Sequence, residues 1–263
     1  MGEDVLWLGD CLHAPNPDRF ELLYVDPPFG PVGEDTYYGV GADLPEYLEY
    51  LSKRILRFCA GRTDFNLVVH LDPKFSHYVK VALDKALGRA NFRNEIIWGW
   101  SGPSVAQRHL PRKHGVLLWW GLGDYPFNPI RVPYQPGLSV GGSSSWDPGA
   151  EVQEYLERGK LIEDWWVDIP PLIRNEAEKR GYPTQKPLRL LERVVGMLSN
   201  PGGLVFDPMM GSGTTGVPAL RAGRKFQGCD ANPAAVELTR QALRGHPATV
   251  LVLLREGSLQ PQG

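Results

Sequence analysis

The sequence predicts an α/β protein with a mostly parallel, doubly wound sheet that carries helices on both faces. Short apolar runs that end in turn residues alternate with longer segments whose apolar residues recur at helical spacing. This alternation is typical of parallel sheets, because the chain needs a crossover helix to return to the start of the next strand. Hydrophobic residues make up 42% of the 263 residues, which is enough for a sizeable core. The length suits one large α/β domain or two small ones.

The first part of the chain contains five predicted strands and two predicted helices. The first helix begins at Asp43, because this acid occupies the N-cap position and Glu46 follows three residues later, as in a capping box. It ends at Gly61, and the second helix begins after Asp72 and ends at Gly88. The strands are predicted at residues 5–8, 22–25, 65–70, 95–100 and 116–120.

The later part of the chain begins with an irregular region. Residues 121–183 show little periodicity and are rich in glycine, proline, serine and aromatic residues, so we expect a functional loop region or a small subdomain. Apolar periodicity resumes in a helix that opens at Pro187. The remaining elements are strands at residues 204–206, 225–228 and 249–254, a helix that ends near Ala222, and a helix from Asn232 to about Gly245.

Composition argues against several classes of protein. No apolar run approaches the roughly 18 residues of a membrane span. The N-terminal segment lacks the basic and apolar regions of a signal peptide. The three cysteines, Cys11, Cys59 and Cys229, are odd in number and far apart, which predicts free thiols in a reducing cytoplasm. We therefore expect a cytoplasmic protein with no membrane partner and no metal site.

Charge is unevenly distributed along the chain, although the net charge is only −2. Residues 1–50 contain eleven acidic residues and a single basic one, Arg19, whereas residues 85–135 contain seven basic residues and two acidic ones. This asymmetry favours an anionic partner on one face of the molecule. An ordinary solvated surface is the alternative interpretation.

A carboxylate followed by two prolines ends the second predicted strand. Asp26 precedes Pro27 and Pro28, whose rings hold the backbone in a stiff, extended corner. The Asp26 carboxylate and the Pro27 carbonyl can then both point into the space beyond the strand, with the ring of Phe29 beside them. Two acceptors next to an aromatic ring suit a planar ligand that bears an amino group. A plain proline turn is the alternative interpretation of the same residues.

A glycine-rich loop follows the strand predicted at residues 204–206. Asp207 ends this strand, and Gly211, Gly213 and Gly216 then have the spacing GxGxxG. Glycines let the backbone pass close under a ligand, and the free amides of the following helix face that ligand. With the acid Asp230 at the end of the next strand, the pattern also matches the dinucleotide-binding fingerprint. The sequence therefore predicts a nucleoside ligand and leaves its identity open.

An amino-acid tail on that nucleoside would find suitable partners in the same loop. Its ammonium could contact Asp207, and its carboxylate could contact Thr214, Thr215 and the helix amides.

The two motifs together resemble those of the amino-methylating DNA methyltransferases. Their order, DPPF first and DPMMGSGTTG last, is similar to that of the circularly permuted beta group of this family. Further segments resemble the same pattern, namely GDC at residues 9–11, RNEIIWGW at residues 93–100 and YPTQKP at residues 182–187. One departure is Met209-Met210, where the family often has Phe and a small residue, and this departure concerns the pocket wall.

The resemblance implies a class I methyltransferase-like fold, circularly permuted. Residues 1–120 would form its catalytic half, residues 121–180 a loop-rich target-recognition region, and residues 181–263 its cofactor-binding half. The implied reaction is methyl transfer from S-adenosylmethionine to the exocyclic N6 amine of an adenine flipped out of duplex DNA. The implied catalytic residues are Asp26, Pro27, Pro28 and Phe29.

The resemblance also implies how the cofactor is held. Asp230 would bind the ribose, and Asp10 would lie near the adenine ring. The methionine part would lie among Lys186, Asp207, Gly211, Gly213, Thr214 and Thr215.

Three other functions fit part of the sequence. A cytosine N4 methyltransferase would have the same fold and chemistry, but an initial Asp in DPPF resembles the adenine enzymes. A nicotinamide-dependent oxidoreductase would explain GSGTTG and Asp230, but it leaves DPPF without a role. A non-catalytic DNA-binding module would explain Arg108, Arg112 and Lys113, which we predict contact DNA phosphates. Double-stranded DNA is the expected partner, and a homodimer and a cognate restriction endonuclease are further candidates.

Overall fold

The structure is a computed structural model, and it describes residues 4–28, 43–133, 157–172, 178–182, 184–244, 246 and 251–255. The strands of the described residues are β1 (Asp4–Leu8), β2 (Leu22–Val25), β3 (Phe65–Leu71), β4 (Phe92–Gly99), β5 (His114–Leu122), β6 (Arg131–Val132), β7 (Lys160–Leu161), β8 (Trp165–Trp166), β9 (Leu204–Asp207), β10 (Lys225–Asp230) and β11 (Leu251–Arg255). The α-helices are α1 (Leu44–Cys59), α2 (Ser76–Leu87), α3 (Leu188–Leu198), α4 (Gly216–Arg221) and α5 (Pro233–Leu243).

One large sheet organises these elements. Its strand order is β11-β1-β10-β9-β2-β3-β5-β4-β8, and β6 and β7 form a separate pair. Neighbouring strands of the large sheet run parallel except at β5, which is antiparallel to both β3 and β4. The predicted mostly parallel sheet is therefore confirmed.

The early and late parts of the chain meet between β2 and β9. Leu22 pairs with Val205, and Leu23 pairs with Phe206, in parallel register. The first strand, β1, lies among the late strands, between β10 and β11. A break in strand order of this kind leaves a crevice at the carboxyl ends of the strands, where α/β proteins bind their ligands.

Different helices cover the two faces of the sheet. Leu23 and Val25 of β2 lie in one core cluster with residues of α1 and α2. Leu22 and Tyr24 lie in a second cluster with residues of α3, α4 and α5. This alternation follows from the pleat, because successive side chains of a strand point to opposite faces. All four residues of β2 are buried, as expected for a parallel strand covered on both sides.

The local signals at the helix starts act as the sequence predicts. The carboxylate of Asp43 accepts a hydrogen bond from the amide of Glu46 at 3.0 Å, which caps α1. Asn232 caps α5 by accepting from the amide of Ala234 at 2.9 Å. The three cysteines are free and buried, which confirms the predicted thiols.

The helix after the glycine-rich loop lies where the sequence predicts it. The sequence predicts a helix directly after the glycines that ends near Ala222, and α4 has six residues, from Gly216 to Arg221. Gly211 and Gly213 have φ angles of +50° and +70°, which do not belong to a right-handed helix. The segment before Gly216 consequently forms turns.

None of the helices in the described segments is both long enough and apolar enough to cross a membrane.

A buried asparagine ties the sheet to α3. The Asn66 amide donates to the carbonyls of Pro126 and Leu198 at 2.7 and 3.0 Å, and its carbonyl accepts from the Trp119 indole at 2.8 Å. Asn66 is fully buried, so no water can replace these partners.

We expect Asn66→Ala to lower the free energy of unfolding by about 2–4 kcal/mol, because it leaves several buried polar groups unpaired. Urea denaturation measures this change. Asn94→Ala is the control, since the Asn94 amide makes a single exposed hydrogen bond to Asp164 at 3.2 Å. Equal effects of the two substitutions would contradict the role assigned to Asn66.

Candidate active site

Four carboxylates line one cavity at the carboxyl edge of the sheet. Asp26, Asp207 and Asp230 end or directly follow the adjacent strands β2, β9 and β10, and Asp10 follows the next strand, β1. The cavity has a volume of about 560 Å³ and also includes Pro27 in its wall. Residues far apart in sequence therefore meet because parallel strands present their carboxyl ends at one edge.

The Asp26 carboxylate has one paired and one unpaired oxygen. Its Oδ2 accepts from the Lys186 ammonium at 2.5 Å, whereas its buried Oδ1 has no hydrogen-bond partner among the described residues. Burial raises the pKa of Asp26, and the charge and hydrogen bond of Lys186 oppose that rise. A buried acceptor without a donor is costly, so a ligand N–H at this place would be favourable.

The two prolines after Asp26 are held from α1. The hydroxyl of the buried Tyr47 donates to the Pro28 carbonyl at 2.8 Å. Pro27 is buried, and both prolines line the cavity. A hydrogen bond from α1 therefore anchors the predicted corner, and the sequence did not predict this contact.

Lys186 lies between two cavities. Its ammonium also donates to the Thr184 carbonyl at 3.1 Å, and the side chain is 9% exposed. Besides the first cavity, it lines a second one of about 420 Å³ that includes Trp98, Trp100 and Arg112. The resemblance implied a place beside the cofactor's methionine part, and the structure places the ammonium directly against Asp26.

Asp230 fastens the glycine-rich loop to β10. Its Oδ2 accepts from the Gly211 amide at 2.9 Å, and its Oδ1 accepts from the Asn232 amide at 2.8 Å. Burial raises the pKa of Asp230, and these two amides oppose the rise. Each carboxylate oxygen has a second lone pair, so Asp230 retains acceptor capacity for a ligand hydroxyl.

The glycines of the loop allow close packing against α5 and the segment before α3. At Gly213, a Cβ atom would come within 2.5 Å of the Thr239 Oγ1 atom, which donates to the Gly211 carbonyl. At Gly211, a Cβ atom would approach the Tyr182 ring to 3.1 Å. Only glycine accommodates the loop at Gly213, because a side chain would meet both a clash and an unfavourable φ.

Asp207 is buried beneath this loop. It accepts from the Thr215 hydroxyl at 2.7 Å and from the Met209 amide at 3.1 Å. Burial raises the pKa of Asp207 to about 7, and nearby Asp26 and Asp230 add to the rise. Thr214 is also buried, and its hydroxyl shares a hydrogen bond with Ser212 at 3.0 Å.

Asp10 pairs with a residue that the sequence did not single out. The Arg54 guanidinium of α1 donates to Asp10 at 2.6 Å and lies 3.6 Å from the centre of the Tyr50 ring. Burial alone would raise the pKa of Asp10, but the Leu12 amide and Arg54 outweigh it and lower the pKa. Tyr50 and Arg54 are four residues apart on one helix face, a spacing too common to indicate a site.

The segment before α3 forms a folded cover over the glycine-rich loop. Arg180 donates to the Ser212 carbonyl at 3.2 Å. Gln185 closes the segment by accepting from the Arg180 amide and donating to the Glu178 carbonyl, both at 2.8 Å. Tyr182 belongs to the same segment and lines the cavity, a position that the sequence did not indicate.

Three further titratable groups that line the two cavities are neutral. The buried Tyr24 hydroxyl lies 3.0 Å from His70 Nδ1. Burial raises the pKa of Tyr24 and lowers that of His70. Cys11 lines the cavity, but burial raises its thiol pKa to about 12, so it does not act as a thiolate nucleophile.

Four further site residues were predicted from the sequence. Phe29 is outside the described residues. Arg108, Arg112 and Lys113 belong to the connection between β4 and β5, and Arg112 and Lys113 line the second cavity. Across the described segments, no group of three or more His, Cys, Asp or Glu side chains is arranged to hold a metal ion.

The fold and the cavity define a nucleoside-binding α/β protein. A glycine-rich loop and a strand-end acid form one part of the cavity, and a carboxylate with an unpaired oxygen forms another. The family model described as DNA methylase matches residues 20–241, so the chain belongs to the DNA methylase family. This membership decides against the oxidoreductase and against the non-catalytic DNA-binding module.

Several relatives share much of the sequence. Type II methyltransferase M2.DpnII of Streptococcus pneumoniae is 37% identical over 250 residues, which cover 89% of this chain and 85% of that protein. Type II methyltransferase M.BamHI of Bacillus amyloliquefaciens is 29% identical over 85% of this chain, and DNA adenine methyltransferase YhdJ of Escherichia coli is 46% identical over 56% of it. The chain spans about half the length of these last two proteins, 53% and 50%.

Solved structures share the fold. The protein TTHA0409 of Thermus thermophilus, complexed with S-adenosyl-L-methionine, has a TM-score of 0.61 at 23% identity, and the match covers 98% of this chain and 100% of that one. The cytosine-N4-specific PvuII DNA methyltransferase has a TM-score of 0.64 at 17% identity, and the match covers 92% of this chain and 86% of that one.

We expect the free energy of unfolding of the protein to depend on the protonation of Asp207. Its pKa is about 7 in the fold against an ordinary 3.8, so the native state holds this proton more tightly than the unfolded chain. The resulting stabilisation is complete below about pH 4 and is lost as pH rises through about 7.

The Asp207→Asn variant lacks this titration. As pH rises from about 4 to 7, its free energy of unfolding should increase relative to that of the wild type by up to about 4 kcal/mol, since one pKa unit corresponds to about 1.36 kcal/mol. Urea denaturation of both proteins at several pH values measures the difference. A difference that is constant with pH would show that Asp207 is ionised throughout.

Proposed function

We propose that this protein transfers a methyl group from S-adenosylmethionine to the exocyclic N6 amine of adenine in double-stranded DNA. The observation that carries the proposal is the Asp26 carboxylate, whose unpaired Oδ1 belongs to the cavity that the glycine-rich loop and Asp230 also line. This arrangement puts an acceptor for an amine beside a place for a nucleoside. Family membership supports the same chemistry.

The residues of the cavity suit S-adenosylmethionine. Asp230 retains lone pairs for ribose hydroxyls, and Gly211 of the glycine-rich loop lines the cavity beside it. The Tyr50 ring and Asp10 form a further part of the wall and suit an adenine ring. When bound, this cofactor supplies an electrophilic methyl group on a positively charged sulfur.

Asp26 and Pro27 are the groups that act on the target base. The lone pair of an exocyclic amine is delocalised into the ring, so the amine is a poor nucleophile. If the Asp26 carboxylate and the Pro27 carbonyl accept its two N–H groups, the nitrogen becomes more tetrahedral and its lone pair becomes available. Positioning and electrostatic stabilisation supply most of the acceleration.

The proposed methyl transfer needs no reactant besides the base and S-adenosylmethionine. The amine nitrogen forms the new C–N bond, the C–S bond breaks, and sulfur keeps that electron pair. The nitrogen then loses one proton, to Asp26 or to water. Lys186 favours the anionic form of Asp26 that this step needs, because its ammonium opposes the effect of burial on the Asp26 pKa.

Adenine is favoured over cytosine by the first residue of the DPPF motif. The relative YhdJ is a DNA adenine methyltransferase by name, whereas the PvuII enzyme, which shares the fold, is cytosine-N4-specific. Methylated genomic DNA from cells that express the protein, digested to nucleosides and analysed by mass spectrometry, distinguishes the two. N6-methyladenine supports the proposal, N4-methylcytosine assigns the alternative, and unmodified DNA refutes both.

Recognition of DNA requires residues outside the cavity. We assign residues 121–180 to target recognition, Arg108, Arg112 and Lys113 to phosphate contacts, and Phe29 to stacking on the flipped base. Residues 1–120 and 181–263 would be the catalytic and cofactor-binding halves of one domain. A homodimer, a cognate restriction endonuclease and a cytoplasmic location complete the proposal.

Asp26→Asn should reduce methyl transfer by roughly 10²–10⁴-fold, because it removes the charged acceptor of the amine. Affinity for S-adenosylmethionine, measured by calorimetry, should change less than about threefold, since Asp26 contacts the base. A folded Asp26→Asn protein with full activity would remove the basis of the mechanism.

Lys186→Met should shift the pH dependence of methyl transfer. Without the ammonium, the pKa of Asp26 rises further, so the acid limb of the single-turnover rate moves to higher pH. Lys186→Arg keeps the charge and should leave the limb near its wild-type position. Asp207 and Tyr24, the other groups that interact electrostatically with Asp26, are unchanged in both variants. A uniform loss of rate at every pH would mean that Lys186 only supports the fold.

A further inference from the structure

The connection between β4 and β5 combines positive charge with exposed apolar side chains. Its sequence from residue 101 to 113 is SGPSVAQRHLPRK, which has three Lys or Arg residues and no acid. Val105 is 96% exposed and Leu110 is 89% exposed. Among the large hydrophobic side chains of the described residues, these two are the most exposed. Water contact of this extent is unfavourable, so a partner that covers them would be stabilising.

Hydrogen bonds hold the two ends of this connection together. The Lys113 ammonium donates to the Pro103 carbonyl at 3.0 Å, and the Trp100 amide donates to the Lys113 carbonyl at 2.8 Å. Ser104 accepts from the Ala106 amide at 3.1 Å. The apolar side chains therefore stand on a loop with its own hydrogen bonds.

The connection lies beside the residues that act on the target base. Ser104, Ala106, His109 and Pro111 line the second cavity, together with Lys186, the partner of Asp26. In the sequence, Val105 lies between Ser104 and Ala106, and Leu110 lies between His109 and Pro111. Neither Val105 nor Leu110 belongs to the cavity wall, so both stand at its margin in solvent.

The charge of the connection identifies the partner as a polyanion. In the described part of the chain, neither Arg108 nor Arg112 has a hydrogen-bond or ion-pair partner, and both are exposed. Guanidinium groups in this state suit phosphates. Apolar side chains flanked by such groups match the wedges that proteins insert between the base steps of a duplex.

We propose that Leu110, assisted by Val105, enters the duplex beside the target base and occupies the space that the base leaves when it swings out. This inference rests on the proposed function. The wedge compensates for lost base stacking, and Arg108 and Arg112 hold the flanking phosphates. Leu110 is thus a positioning residue that stabilises the flipped state without contacting the reacting amine.

Two duplexes that differ only opposite the target base test this role. Both carry the methylated site found in genomic DNA. In one the target base is paired, and in the other it faces an abasic position, so that swinging out costs little. Single-turnover methylation is measured on both for wild type, Leu110→Ala, Leu110→Phe and Val81→Ala. Val81 is the matched control, because it is an apolar residue that is 70% exposed on α2.

Leu110→Ala should slow methylation of the paired duplex by roughly 10-fold to 100-fold, which corresponds to about 1.4–2.8 kcal/mol. On the abasic duplex it should stay within about threefold of the wild type. Leu110→Phe retains an apolar wedge and should stay within about threefold on both, as should Val81→Ala. Circular dichroism of the exposed-site variants confirms that they fold.

Two results would overturn the wedge. An equal loss on both duplexes would mean that Leu110 contributes to general binding, and no loss on either would mean that the loop serves another partner. A wild-type protein that methylates neither duplex would refute the proposed function itself, and the wedge with it.

Discussion

The pairing of β2 with β9 is the contact on which the site depends. It joins strands from opposite ends of the chain in parallel register, with Leu22 beside Val205 and Leu23 beside Phe206. Because both strands then end at one edge, Asp26 comes to lie next to the glycine-rich loop. The segment before α3 crosses the same edge and brings Lys186 to Asp26, 160 residues away in sequence. Without that pairing, neither the cavity nor the ion pair would exist.

The cavity holds four carboxylates, and the fold accommodates each in a different way. Asp10 pairs with a guanidinium from α1, and Asp230 accepts from two backbone amides. Asp26 is paired with an ammonium. Asp207 has hydrogen-bond donors and no cationic partner among the described residues, and burial with two neighbouring acids brings its pKa to about 7. These different environments limit repulsion among the four groups, and the Lys186 ammonium opposes the burial that raises the pKa of Asp26.

In the proposed function, the two cavities bring cofactor and DNA to the same edge of the sheet. The first cavity lies over the glycine-rich loop, and the second is surrounded by aromatic and basic residues near the connection between β4 and β5. Lys186 lines both. In the proposed reaction the base is acted on where these two regions meet, which agrees with the position of Asp26. The proposed wedge lies at the margin of the second cavity, on the side where DNA phosphates would be attracted.

The sequence by itself determined the features that depend on local chain chemistry. Periodicity predicted the order and approximate bounds of the helices and of the strands outside residues 121–183, and the DPP corner and the glycine spacing identified the two strand-end motifs. The same motifs predicted membership of the DNA methylase family, which the match to the family model confirms. The bounds of α4 agree with the prediction, whereas β6, β7 and β8 lie within residues 121–183, where the sequence predicted no strand. Only the tertiary structure decided that Lys186 pairs with Asp26 and that Asp207 has a raised pKa. Both depend on which groups are brought together and removed from water, and the pattern of neighbouring residues carries no record of either.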